Sequence, residues 1–264
     1  MRALLILLFL ALPVAAEDVE VDVELVLAVD VSRSMSPREL EIQRRGYAEA
    51  LVSDEVIAAI AKGAHGRIAL SYMEWAGTQR VIVDWTLIET RADAARFAGM
   101  LTAEFNDALR RTSISGALDF AAQSFSYNGF SSWRQVIDVS GDGPNNQGRP
   151  VLDARADVLA RGIVINGLPL MTREGLGSQW HLDDLDKYYE ACVIGGPGSF
   201  NIPVLSWDQF PAAVRLKLIQ ELASGPPDQT RPRPANFHVM PAPEYDCLIG
   251  ERIWERFRDN QMLP

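Results

Sequence analysis

One stretch constrains the chain more than any other: Leu25-Val26-Leu27-Ala28-Val29-Asp30-Val31-Ser32-Arg33-Ser34-Met35-Ser36-Pro37-Arg38-Glu39. It opens with an apolar run of strand length. It closes with a helix start signal, in which Ser36 is the N-cap, Pro37 the first helical residue and Glu39 the far half of a capping box. Between the two lies Asp-x-Ser-x-Ser, with Asp30, Ser32 and Ser34 at every second position. Alternate residues of an extended segment point the same way, so one carboxylate and two hydroxyls can converge on one point. That point lies at the carboxyl end of a strand, where open α/β sheets bind ligands. An all-oxygen donor set suits a hard cation such as Mg²⁺. Hydroxyls bring no charge, so such a site leaves the cation open to a further anionic ligand. The competing reading of the same residues is a polar turn whose serines cap a helix.

The rest of the chain alternates strand and helix patterns from Val23 to Ala223. Leu40, Tyr47 and Leu51 mark one helical face, continued by Val56, Ile57 and Ile60 after a break near Ser53-Asp54. Arg67 to Trp75 and Val81 to Trp85 read as a hairpin across Ala76-Gly77-Thr78, with the second strand an antiparallel edge. Thr90 and Asp93 cap a helix carrying Phe97, Leu101 and Phe105, and Ile114, Leu118, Ala121 and Phe125 lie on the next. Gln135 to Ser140 is a central strand, and Pro150 to Gly162 a helix. Ile163 to Ile165 is a strand, and Leu182, Leu185 and Tyr189 mark a short helix. Phe200 to Ser206 is a last strand that Pro203 restricts to an edge. Asp208 caps a helix with Phe210, Val214, Leu218 and Leu222. This order predicts a doubly wound, mainly parallel α/β sheet with helices on both faces and one antiparallel edge strand.

The 264 residues divide into four parts. Met1 to Ala16 has the build of a secretory signal: Arg2, an apolar centre from Ala3 to Leu12, and small residues at Val14-Ala15-Ala16. Its apolar run is too short to span a bilayer, and the mature chain is expected to begin at Glu17. Residues 17–224 form the α/β domain. Six prolines between Pro226 and Pro243 mark residues 225–243 as an extended connector. Residues 244–264 are amphipathic through Ile249, Ile253 and Phe257, too short to fold alone, and expected to dock on the domain. Export to the periplasm, or beyond the cell, permits a disulfide, and Cys192 and Cys247 are the only cysteines. The formal charge of −10 with scattered basic residues argues against a nucleic-acid partner. No later stretch is apolar and long enough to cross a membrane.

Two further segments carry chemistry. Arg111-Thr112-Ser113-Ile114 sets a hydroxyl just before a helix, and Val136-Ile137-Asp138-Val139-Ser140-Gly141-Asp142-Gly143 sets a carboxylate just after a central strand. Asp-x-Ser-x-Ser, a loop threonine and strand–Asp–Gly, in this order, resemble the von Willebrand factor A-domain superfamily over about Val23 to Ala223. Glu74-Trp75-Ala76-Gly77 and Cys192-Val193-Ile194-Gly195-Gly196-Pro197-Gly198 resemble an exported bacterial branch of it without an assigned function. The resemblance implies a metal-ion-dependent adhesion site of Asp30, Ser32, Ser34, Thr112 and Asp142. That site would hold Mg²⁺ or Mn²⁺, and a partner's carboxylate would complete its shell. This chain departs from the family at Ser140-Gly141-Asp142-Gly143, where Thr-Asp-Gly is usual and one residue is inserted. Asp138 is therefore a rival for the second carboxylate, although a place inside the strand would bury it at a desolvation cost.

Glu74, Trp75, Asn145 and Asn146 are candidates for a partner-binding rim. Packing for Trp75 and a plain turn for the asparagines are the plainer alternatives. His65, His181 and His238 are far apart, and no Gly-x-Ser-x-Gly elbow or phosphate loop with Gly-Lys-Ser/Thr occurs. The reading is a non-enzymatic module that binds a protein or other acidic ligand through a divalent cation. Its alternatives are a metal-free assembly module with a vestigial site, and a metal-assisted hydrolase using Asp30.

Overall fold

The computed structural model describes residues 17–103, 109–172, 181–223 and 245–261. A two-residue strand, β1 (Val19–Glu20), leads into β2 (Glu24–Asp30), whose seven residues are all buried. At Ser36 the chain turns into α1 (Pro37–Leu51) through a reciprocal capping box. The Glu39 N–H donates to Ser36 Oγ, and the Ser36 N–H donates to the Glu39 carboxylate at 2.6 Å. Ser53 caps α2 (Asp54–Ala61). β3 (Ile68–Trp75) and β4 (Gln79–Ile88) follow as an antiparallel hairpin. Thr90 and Asp93 exchange capping hydrogen bonds ahead of α3 (Arg91–Ala103).

Next come α4 (Ile114–Ser124), β5 (Phe130–Ser131), β6 (Gln135–Gly141), α5 (Val151–Ala160) and β7 (Val164–Pro169). The short α6 (Leu185–Tyr188) runs straight into a π-helical turn at Tyr189–Val193. A 3₁₀ turn at Trp207–Gln209 leads into α7 (Phe210–Ala223), and α8 (Ile249–Gln261) is the last described helix.

The main sheet has the order β4-β3-β2-β6-β7, parallel except for β4 at its edge. β2 is its middle strand, which is why it can be apolar on both sides. Leu25, Leu27 and Val29 meet a layer that includes Tyr47 of α1, Val56 of α2, Phe97 of α3 and Phe210 of α7. Val26 and Ala28 meet a layer that includes Ile114 of α4, Val151 of α5 and Tyr189 of the π turn. This is the doubly wound α/β architecture, with the carboxyl ends of β2 and β6 side by side.

Three details differ from the sequence reading. Phe200 to Ser206 is not a continuous strand. It borders β7 through a bridge at Gly167–Asn201 and, just past the strand, one at Leu170–Val204; the Ile202 and Val204 N–H groups donate to the Gly167 and Pro169 carbonyls, and Pro169 has no N–H to return. Asp208 lies inside the 3₁₀ turn instead of capping α7. β1 and β5 pair as a small parallel sheet of their own, too short to leave a pattern in the sequence.

Cys192 and Cys247 form a disulfide with a Cα–Cα distance of 5.6 Å. It joins the π turn to the segment before α8, where the ring of Tyr245 packs on Tyr188 and Ile249 lies against the α4–α5 layer. Among the described residues no helix is long and apolar enough to cross a membrane. The expected signal segment 1–16, Phe105 of the expected third helix and the expected connector 225–243 lie outside the described residues.

Candidate metal centre

Three loops meet above β2 and β6. The first leaves β2 at Asp30, which is fully buried. Its Oδ1 accepts the Ser32 N–H at 2.6 Å, and its carbonyl accepts the Gln43 side chain of α1 at 3.0 Å. This local turn, typical of aspartate, brings Ser32 and Ser34 to one side, with their hydroxyls 2.8 Å apart. Ser34 Oγ in turn donates to Asp142 Oδ1 at 2.9 Å, 108 residues away in sequence. Ser32, Ser34, Thr112 and Asp142 line one open cleft of about 470 Å³. Asp30 lies beneath it, not on its wall.

The second loop carries Thr112. Arg111 before it adopts φ 74°, a left-handed conformation that costs a non-glycine residue about 1 kcal/mol or more. The third loop carries Asp142, Asn145 and Asn146. These two loops are zipped together by the asparagines. Asn146 Oδ1 accepts the Thr112 N–H at 3.0 Å, while the Asn146 N–H donates to the Thr112 carbonyl at 2.8 Å. Asn145 Oδ1 accepts the Ser115 N–H at 3.0 Å. Nothing in the sequence announces this, because both partners of every contact are brought together only by the fold.

The inserted residue finds its place at Gly141. β6 continues through Gly141, still paired with Pro169, so Asp142 leaves the strand beside Ser34. A Cβ on Gly141 would lie 2.9 Å from Asp30 Oδ2 and 2.9 Å from the Tyr189 hydroxyl. Only glycine allows the Asp30 carboxylate to pack there. Asp138, the rival, is paired with Leu27, three residues short of Asp30, and forms an ion pair with the buried Lys217 of α7 at 3.1 Å. It belongs to the opposite layer and takes no part in the cleft.

Three of the rim candidates are corrected by burial. Glu74 is 2% exposed and held by Arg44 at 2.6 Å and Arg80 at 2.8 Å, so it is a buried ion-pair centre. Trp75 is 0% exposed and packs in the α4–α5 layer. Asn145 is fully buried, with its N–H on the Tyr188 hydroxyl and its amide on Glu251 of α8. Asn146 alone reaches the cleft wall. The cleft residues that the sequence reading missed include Arg33, Arg110, Ile253 and Trp254. The two arginines flank motif residues, whereas the α8 pair carried no signal of its position.

Electrostatics mark the two carboxylates. Burial first, then the charge of Asp142, pushes Asp30 well above the ordinary aspartate value. Burial also pushes Asp142 up to about 6, opposed by the Ser34 hydrogen bond and assisted by Glu39. Asp30 Oδ2 and the Tyr189 hydroxyl are buried with no hydrogen-bond partner among the described residues. Among the described residues no three His, Cys, Asp or Glu side chains converge as a metal-binding group. The donor set here is different: two carboxylates destabilised as anions chiefly by burial, with the charge of Asp142 adding to the shift of Asp30, and three hydroxyls. An all-oxygen cradle of this kind fits a hard divalent cation, which would relieve the repulsion between Asp30 and Asp142.

Comparison with known proteins agrees with the architecture. Proximal thread matrix protein 1 from the mussel byssus superposes with a TM-score of 0.55 at 15% identity, over 79% of this chain and 49% of that one. A structure of the same mussel protein with a zinc-occupied MIDAS motif superposes at 0.54 and 14% identity, over 79% and 49%. The pilus adhesin SpaC from Lactobacillus rhamnosus GG superposes at 0.56 and 11% identity, over 78% and 31%. The chain thus spans about half the length of the mussel protein and a third of the adhesin. No curated protein matches it. The fold is of the von Willebrand factor A type. Within that class the chain belongs to the family described as "Protein of unknown function (DUF1194)", whose model matches residues 20–226.

Proposed function

We propose that this protein is an exported, non-enzymatic binding module that takes an acidic group of a partner through a divalent cation held by Ser32, Ser34 and Thr112, with Asp30 and Asp142. One observation carries the reading: the hydroxyls of Ser32 and Ser34 and the carboxylate of Asp142 form a continuous hydrogen-bonded chain on the wall of an open cleft, with Asp30 buried below. The hydroxyls of Ser32, Ser34 and Thr112 are the neutral donors. Asp30 fixes the Ser32 backbone with one oxygen and keeps the other free, and Asp142 holds Ser34 in register. A bound Mg²⁺ or Mn²⁺ would supply an open coordination position for a carboxylate. Two carboxylates offset at most the charge of the ion, so the ligand's anion is not repelled, and Arg33 and Arg110 on the cleft wall favour it further. A hydrolase using Asp30 as nucleophile is disfavoured because Asp30 is 0% exposed and does not line the cleft. The mussel protein's zinc-occupied motif supports the reading by analogy of fold.

Calorimetric titration with Mg²⁺ and Mn²⁺ tests it. Heat of binding and a raised melting temperature are expected for the wild type, and both should vanish in Ser32→Ala and Thr112→Ala that still fold. No heat and no melting shift at millimolar cation in folded wild-type protein would make the site vestigial.

A further inference from the structure

Helix α8 lies beyond the residues that the family model matches, yet it reaches two of the three loops of the candidate site. The Arg111 guanidinium stacks 3.5 Å from the centroid of the Trp254 ring. Arg111 is the left-handed residue immediately before Thr112, so the indole covers the strained point of that loop. Cation–π stacking of this kind offsets part of the backbone cost at Arg111. One turn away, Glu251 Oε1 accepts from Asn145 Nδ2 at 2.7 Å, in the loop after Asp142. Gly250 lies so close that a Cβ there would come 2.0 Å from the Asn145 carbonyl oxygen. Gly250, Ile253 and Trp254 form one wall of the cleft, facing Ser32, Ser34 and Thr112. The disulfide Cys192–Cys247 and the Tyr245–Tyr188 contact hold the start of α8 against the domain.

We propose that α8 is a working part of the binding site: Trp254 and Glu251 are positioning residues that clamp the Thr112 loop to the Asp142 loop. The asparagine zipper alone is short, made of three hydrogen bonds between two loops. α8 grips it from outside at both ends, at Arg111 and at Asn145. The cation affinity of the site then depends on a helix that supplies no ligand, as outer partners commonly govern metal sites. Only the affinity arm of this inference rests on the cation-binding reading. The clamp itself is a property of the metal-free protein.

The test uses the full mature chain with its disulfide intact. Trp254→Ala removes the stacked ring, Trp254→Phe keeps an aromatic face over Arg111, and Gly250→Ala pushes α8, with Glu251 and Trp254 on it, away from Asn145 without changing either side chain. Amide hydrogen exchange in chelator is read at Thr112, Ser115 and Asn146. Trp254→Ala and Gly250→Ala are expected to lose protection there by at least tenfold while β2 and β6 stay protected, and Trp254→Phe to recover most of it. Mn²⁺ titration is expected to show roughly tenfold weaker binding in the same two variants. Unchanged exchange at these three amides overturns the clamp, whatever the metal does. Tighter Mn²⁺ binding in Gly250→Ala also overturns it, making α8 a lid. Lost protection in a protein whose wild type takes no Mn²⁺ keeps the clamp and removes the cation-binding reading.

Discussion

At Gly141 the backbone of β6 passes under Asp30 with no room for a methyl group, and the chemistry of the site follows from that contact. Gly141→Ala must move either the Asp30 carboxylate or the Tyr189 ring. The expected cost is about 1–3 kcal/mol of stability in denaturant melts, as for overpacking elsewhere, together with weaker cation binding. An alanine variant with wild-type stability and affinity would mean that the close approach constrains nothing. Asp30→Asn separates the two roles of Asp30. It keeps an acceptor for the Ser32 N–H and removes a buried charge facing Asp142. Thermal melts in chelator near pH 8 are expected to show a gain on the order of 1 kcal/mol, while cation binding is lost. A destabilised metal-free Asp30→Asn would contradict the idea that the two carboxylates repel.

The sign of the pH dependence follows from the same pair. Asp142 titrates near 6 in the folded chain against an ordinary 3.8. The metal-free native state therefore binds more protons than the unfolded state in that window, and the contribution of Asp142 to stability falls as pH rises from about 4 to 6. Cation binding must displace that proton. Affinity is expected to drop about tenfold from pH 7 to pH 5, with proton release in calorimetry at pH 5 to 6. A flat affinity profile would take Asp142 out of the site. At this scale the sequence was most legible for Asp30, Ser32 and Ser34, which lie within five residues, although β2 ends at Asp30 and a turn closed by Asp30 Oδ1 on the Ser32 N–H, not an extended segment, gathers the two hydroxyls. It was least legible for Glu74 and Asn145. Their surroundings, Arg44 and Arg80 for one and Ser115 and Glu251 for the other, are assembled only by the fold.

Among the elements, α7 is anchored by charge as well as by its apolar face. Lys217, 1% exposed, lies 3.1 Å from Asp138 of β6 and 3.1 Å from Glu221, whose carboxylate also accepts from Asn166 of β7 at 3.0 Å. A buried cation is tolerated only where its partners are complete. Lys217→Met leaves two buried carboxylates facing each other. It is expected to cost about 3–5 kcal/mol in denaturant unfolding, and a loss below 1 kcal/mol would mean the network carries little. The apolar spacing of Phe210, Val214 and Leu218 placed this helix correctly, yet periodicity is blind to a lysine on the inner face. The same limit explains Phe200 to Ser206. Its composition suits a strand, but Pro169 on the facing segment has no N–H to give, and the pairing stays at isolated bridges. That the sheet is mainly parallel with an antiparallel edge was readable because strand and helix patterns alternate, whereas the order β4-β3-β2-β6-β7 comes from the fold.

Over the whole molecule, one covalent bond ties the segment before α8 to the sheet domain. The Cys192–Cys247 disulfide closes a separation of 55 residues. In the chain-entropy model such a closure contributes about 4 kcal/mol. The double Cys192→Ser, Cys247→Ser variant is expected to lose up to that amount and to show lower amide protection throughout α8. The central claim concerns the point where the three loops meet. It is tested most directly by growing crystals of the mature chain with Mn²⁺ and collecting anomalous diffraction at the manganese edge. The account predicts one anomalous peak in the cleft, within coordination distance of the Ser32 and Ser34 hydroxyls and beside Thr112 and Asp142. A well-ordered cleft with no peak at millimolar Mn²⁺, or a peak held by other residues, would contradict it.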